Sequence, residues 1–211
     1  MISRLEATDI EDSLFETSTG LIDFVVIKTE LRQISQYGFD LIAFSSAKLD
    51  ALKEVLRSRL KSVEEEIELP TWEEEVELPN WEDNVEFVTP TLLLVALYIF
   101  CEKSLKNLCY SFTDRSSSYE IPKGARFKVR LRKGESNIDA QIRYLINKCR
   151  FNFALDDHEK RLLDQCRQLR NDFAHGDWSN VRSALKTVSF QDALGSISSI
   201  FAKIEDGMPL R

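Results

Sequence analysis

The stretch Leu92–Cys101, LLLVALYIFC, constrains this chain more than any other. It has no polar stripe, so a helix built from it is apolar all round and needs neighbours on every side. Thr89-Pro90 ahead of it has the form of a helix start, a capping hydroxyl followed by proline in the first turn. The periodicity continues through TLLLVALYIFCEKSLKNLCYSF, which predicts a buried central helix. The apolar run is about half of the ~20 residues a membrane span needs, and the N-terminus MISRLEATDIEDS is acidic with no secretory pattern. A cytoplasmic protein with no membrane partner is expected.

Other helices can surround this one. From Phe24 to about Lys61, apolar residues recur at three-, four- and seven-residue steps, with Gly38 expected to mark a kink or break. Ser136 with Asp139, and Asp156 with Glu159, are capping-box-like pairs that open two more helices. The second carries a core stripe of Leu162, Cys166, Leu169 and Phe173. A last helix is predicted over Phe190 to Ile204. At 211 residues and 43% hydrophobic content, these elements fit a single all-α domain over 1–211, a bundle of about five helices.

Two segments depart from the helical pattern. ELPTWEEEV (68–76) is followed at once by ELPNWEDNV (77–85), with six of nine positions identical, inside a stretch from Val63 to Glu86 that holds eleven acids and no base. Prolines inside each unit predict a duplicated acidic loop inserted at about 63–88, removable without loss of the fold. At about 119–134, Phe127, Val129 and Leu131 alternate with Arg126, Lys128, Arg130 and Arg132, and Pro122-Lys123-Gly124 precedes them. That period predicts a short β-hairpin or strand.

The formal charge of −7 argues against a nucleic-acid partner only on average. Ile121 to Phe190 holds 15 Lys and Arg against 8 Asp and Glu, and a locally basic surface holds phosphates whatever the total. Arg126, Lys128, Arg130 and Arg132 are candidate RNA contacts, or else the solvated side of an amphipathic segment. The cysteines Cys101, Cys109, Cys149 and Cys166 form no C-x-x-C pair and have no His at ligand spacing. Buried thiols are expected, with no metal site and no cofactor.

The stretch with most chemistry is RNDFAH, Arg170 to His175, followed by Gly176. Arg167, Asn171 and His175 fall on one helix face beside the core stripe, with Arg170 on its flank. Gly176 supplies a left-handed helix end, which places His175 on the last turn, where the helix dipole favours an imidazolium able to donate a proton. A forked guanidinium beside a titratable imidazole suits a phosphodiester. A histidine before glycine is also a common helix cap in proteins without chemistry.

Arg170-Asn171-Asp172-Phe173-Ala174-His175 resembles the signature of the HEPN superfamily: Arg, a polar residue often Asn, then His after four to six positions, near the end of a long helix in an all-α bundle. The resemblance implies a metal-independent endoribonuclease, often a toxin or an abortive-infection effector in antiviral defence, working as a homodimer. It implies that a 2′-hydroxyl attacks the adjacent phosphate, that Arg170 binds the phosphate, that His175 is base or acid, and that Asn171 orients the pair. Arg167 is a further RNA contact. A toxin–antitoxin or other defence-system partner protein is implied too. One branch of the superfamily has a tyrosine two residues after the His; here that position is Asp177, which puts regulation through such a tyrosine in doubt.

The residues favour a dimer independently. In-line cleavage is helped by two proton-transfer groups on opposite sides of phosphorus. The chain's other histidine, His158, lies 17 residues back on the same helix, or ~25 Å at the helical rise. A non-catalytic protein-interaction or RNA-binding module is the competing expectation, with the acidic Trp-Pro repeat as a partner-facing loop or, laid over the basic half through Glu73, Glu74 and Glu75, as a self-inhibitor.

Overall fold

The computed structural model describes residues 14–62, 71–114, 119–123 and 127–209. Among these the chain is an all-α bundle with no β-strand. Its helices are α1 (Ile22–Ser62), α2 (Leu78–Asp83), α3 (Thr89–Asp114), α4 (Asn137–Asn147), α5 (Asp157–His175), α6 (Trp178–Ala184) and α7 (Phe190–Asp206), with single π-turns at Glu73–Glu77 and Asn84–Val88.

α3 is the hub, packing against α1, α4, α5 and α7. Leu94, Leu97, Cys101, Leu105 and Leu108 are completely buried on it. α5 supplies Leu162, Cys166 and Leu169 to the same core, while Phe173 is only half-buried. The helix starts come out as local chemistry dictates: Ser136 and Asp156 each form both halves of a capping box, with Asp139 and Glu159 reaching back.

Gly38 lies inside an unbroken α1. A Cβ there would stand 2.4 Å from Cζ of Phe190, so the residue is required for close approach rather than for a kink. Phe190 also meets Phe39 edge to face at 5.7 Å.

The expected acidic loop is a correction. Residues 72–88 are helical and run without interruption into α3, so Thr89 is not a helix start; residues 63–70 of the expected insertion lie outside the described part. Proline inside a helix lacks an N–H and crowds the carbonyl four residues back. Each π-turn sits just ahead of one: Leu78 N–H bonds Glu73 O before Pro79, and Thr89 N–H bonds Asn84 O before Pro90. These five-residue turns widen the helix where the ring must fit. The second copy then packs in earnest, with Trp81 edge-on to Phe44 at 6.3 Å and Lys53 paired to Glu82 at 2.9 Å. In the first copy Trp72 stays 67% exposed.

The β-hairpin is the second correction. Residues 127–132 form neither strand nor helix; Gly124 and Arg126 lie outside the described residues. The alternation holds over 127–130 only: Phe127 and Val129 are half-buried, while Lys128 and Arg130, and beyond them Arg132, are exposed. Phe127 packs edge-on to Tyr110 and Tyr144, so the partner of this segment is a helical surface. Leu131, expected on the inner side, is 50% exposed.

α3 yields a further difference. It does not have neighbours on every side: Leu92 and Ile99 are exposed. By length and composition alone, the helical run from Glu73 to Thr113 could cross a membrane, and half of its most apolar window is buried inside the fold.

Candidate functional site

The end of α5 is held rigidly by its own backbone. Gly176 takes φ 73°, its N–H bonds Phe173 O, and Asp177 N–H bonds Asp172 O at 2.9 Å. Both bonds belong to a Schellman motif, which needs the left-handed glycine. Asp177 at once caps α6, accepting from Asn180 N–H. His175 is therefore pinned where two helices meet. Its ring is exposed, and among the described residues no hydrogen bond or ion pair occupies it.

Behind it, Arg170 is exposed and donates from Nη1 to Oδ1 of Asn171 at 3.1 Å. This contact orients the guanidinium and leaves its other N–H groups without a partner among the described residues. Asn171 is half-buried, which steadies it in turn. Arg167 is committed differently: Nη2 pairs with Asp164 at 3.0 Å, and its Nε is buried without a partner among the described residues. Of the two arginines, Arg170 is the more exposed.

Tyr98 of α3 lies beneath these arginines. Burial, first, and then the charge of Glu102 push its phenol up to about 12, against the pull of Arg167 and Arg170. Nothing in the sequence distinguished this tyrosine from the apolar residues around it. Also unforeseen was α6, a seven-residue helix whose start signal, Asp177 followed by Asn180, is as local as the other caps. It sets Trp178 edge-on to both Phe173 (5.6 Å) and Phe87 (6.0 Å).

The basic segment is anchored from below. Arg143 pairs with Glu135 at 2.6 Å and donates from Nη2 to the carbonyl of Arg130, while Arg132 N–H donates to Glu135. Lys128 overhangs a cleft of about 290 Å³ with Glu102, Lys106 and Gln141. Tyr98, beside Arg170, and Lys106, beside Lys128, are eight residues apart on α3, ~12 Å at the helical rise. The structure does not join the two basic groups: among the described residues no hydrogen bond or ion pair links 127–132 to α5. Arg126 lies outside the described residues.

Among the described residues no group of three or more His, Cys, Asp or Glu is placed to hold a metal ion. Cys101, Cys109 and Cys166 are buried and free, with burial pushing all three thiols up, Cys166 to about 12. They behave as apolar core. No family model, no curated protein and no solved structure matches this chain.

Proposed function

We propose that this protein is a metal-independent endoribonuclease of HEPN type, with a site made from Arg170, Asn171 and His175 of two copies, acting in a toxin–antitoxin or phage-defence setting. The observation that carries this reading is the end of α5: an exposed imidazole with no hydrogen-bond partner among the described residues, on a backbone fixed by a Schellman turn, five residues from a guanidinium oriented by Asn171. Catalytic groups must be positioned yet left free to meet substrate; here the backbone is positioned by the turn and the ring is exposed.

In the reaction the 2′-oxygen forms a bond to phosphorus as the P–O5′ bond breaks. One imidazole accepts the 2′-proton and a second donates a proton to the departing 5′-oxygen. The products are a 2′,3′-cyclic phosphate and a 5′-hydroxyl. Arg170 holds the non-bridging oxygens, as a fork of donors does best. Lys128, Arg130 and Arg132 add sequence-independent attraction for the RNA backbone.

The test is cleavage of labelled RNA in chelator by wild type and His175→Ala, with product ends analysed. We expect wild-type cleavage to cyclic phosphate ends and a loss of ~10²–10⁴ in rate for the variant. Equal cleavage by both proteins removes the assignment. One observation favours the non-catalytic reading: α3 leaves Leu92 and Ile99 exposed, as a surface for a protein partner would.

A further inference from the structure

The cleft under the basic segment has the chemistry of a small-ligand site, and none of its lining residues lies on α5. α3 gives it Glu102 and Lys106, α4 gives it Asn137 and Gln141, and the segment 127–131 closes it with Val129 and Leu131. Two of these side chains have no explanation within the fold. Gln141 is only 5% exposed, yet its Oε1 has no hydrogen-bond partner among the described residues. A buried polar atom left unpaired costs stability, so such an atom calls for an absent partner. Leu131 is half-exposed at the mouth, although Phe127 and Val129 of the same segment are half-buried. A molecule in the cleft that donates a hydrogen bond to the amide and lays an apolar face on Leu131 accounts for both.

The rim adds a requirement of charge. Lys106 and Lys128 are exposed on it, and among the described residues neither has an ion-pair partner. Glu102, the carboxylate among the lining residues, already accepts from Asn137 Nδ2 at 2.6 Å, so the cleft is left with an excess of positive charge. Its volume is about 290 Å³, at the lower end of the ~300–1,000 Å³ of ligand sites, which suits one small molecule. The ligand thus needs a flat apolar body, a hydrogen-bonding edge on that body, and an anionic group. We propose that the cleft binds a free nucleoside monophosphate, with the base against Val129 and Leu131, an amino group of the base donating to Gln141, and the phosphate held by Lys106 and Lys128. A glutamine amide pairs with a base edge through one acceptor and one donor, adenine being the base whose edge matches it. Apolar side chains take the faces of an unstacked base. This site is independent of RNA cleavage at His175.

The experiment is isothermal titration calorimetry of the full chain with adenosine 5′-monophosphate, adenosine, inorganic phosphate and a short oligoadenylate as probes. Saturable binding of one monophosphate per chain is expected, with adenosine and phosphate each at least ~10-fold weaker. Lys106→Gln should weaken the monophosphate roughly ten- to a hundredfold, as loss of a charge-assisted hydrogen bond does, and leave adenosine unchanged. Gln141→Leu should weaken the monophosphate ~2–10-fold and leave phosphate unchanged. Without ligand it should melt no lower than wild type, because it removes an unpaired buried oxygen rather than a bond. His175→Ala should bind as wild type does. A wild type that ignores the monophosphate overturns the proposal, as does one that binds phosphate alone equally well. A wild type that takes the oligoadenylate but not the monophosphate makes the cleft an RNA contact and overturns it too. Binding lost in His175→Ala and kept in Lys106→Gln puts the nucleotide on α5, with the same consequence. If Gln141→Leu fails to fold, the amide has a structural role and the base contact is withdrawn.

Discussion

The guanidinium of Arg182 lies over the ring of Phe87, 4.0 Å from its centroid, and the same group pairs with Asp83. α6, directly after His175, is thereby fastened to the second copy of the acidic repeat. The repeat is thus part of the scaffold under the candidate site, and its two copies should differ in weight. Trp81→Ala should lower stability by about 1 kcal/mol more than Trp72→Ala, since among the described residues only Trp81 has an aromatic neighbour, a pair worth ~0.5–1.5 kcal/mol beyond burial. Thermal unfolding of the two variants decides it, and equal midpoints would show the copies to be interchangeable.

Phe190 fills the space a side chain at Gly38 would need. Gly38→Ala should gain ~0.5–1 kcal/mol in helix propensity but lose ~1–3 kcal/mol to overpacking, because Phe190 is itself held by Phe39. A net destabilisation is expected, relieved in the double variant with Phe190→Leu. A higher melting temperature for Gly38→Ala alone would mean that the ring moves aside freely.

These contacts separate what the sequence could disclose from what it could not. Ser136, Asp156 and Gly176 set helix ends through bonds spanning three to five residues, so they were readable in place. The prolines of the repeat read as breaks because a regular helix rejects them; the π-turns at 73–77 and 84–88 have no sequence signature of their own. The alternation at 127–132 predicted a strand; only Phe127 and Val129 are half-buried as it implied, and Leu131 is not. Whether such a chain becomes a strand depends on a partner edge, and here Tyr110 and Tyr144 provide an aromatic surface instead. At the site, Arg170, Asn171 and His175 were legible from one motif, whereas Tyr98 enters from a distant helix and could not be.

Glu135 gives the anchoring of the basic segment a pH dependence. Hydrogen bonds from Arg143 and from Arg132 N–H hold its carboxyl at about 2, below the ordinary 4.5. A carboxylate depressed in the folded state adds stability that is present above about 4.5 and is lost as pH falls toward about 2. Acidification through that window should loosen residues 130–135, seen as faster amide exchange there. In Glu135→Gln the exchange should already be fast at neutral pH and change little on acidification. A variant as protected as wild type at pH 6 would show that the pair does not anchor the segment.

Lys128 and Arg130 are exposed on that anchored segment. Replacing both with Gln should weaken RNA binding across all sequences and reduce the slope of log affinity against log salt by ~1.4–1.8, two phosphate contacts' worth. An unchanged slope would move the RNA backbone to another surface.

Arg170 and Arg167 differ in commitment, and that difference predicts their kinetics. Arg167 is tied to Asp164, whereas Arg170 is aimed by Asn171 with donors to spare. Arg170→Lys keeps the charge but removes the planar fork. Losing one charge-assisted hydrogen bond costs ~1.5–3 kcal/mol, so cleavage should fall roughly ten- to a hundredfold. Asn171→Ala should lower the rate in the same direction and by less, since it only orients the guanidinium. Arg167→Lys should weaken RNA binding slightly and leave turnover of bound RNA unchanged. His158→Ala should match wild type, because His158 stands in the first turn of α5, at the opposite end from His175. Single-turnover rates at saturating protein separate these cases. If Arg167→Lys proves the more damaging, the phosphate sits one turn nearer Tyr98 than the motif places it.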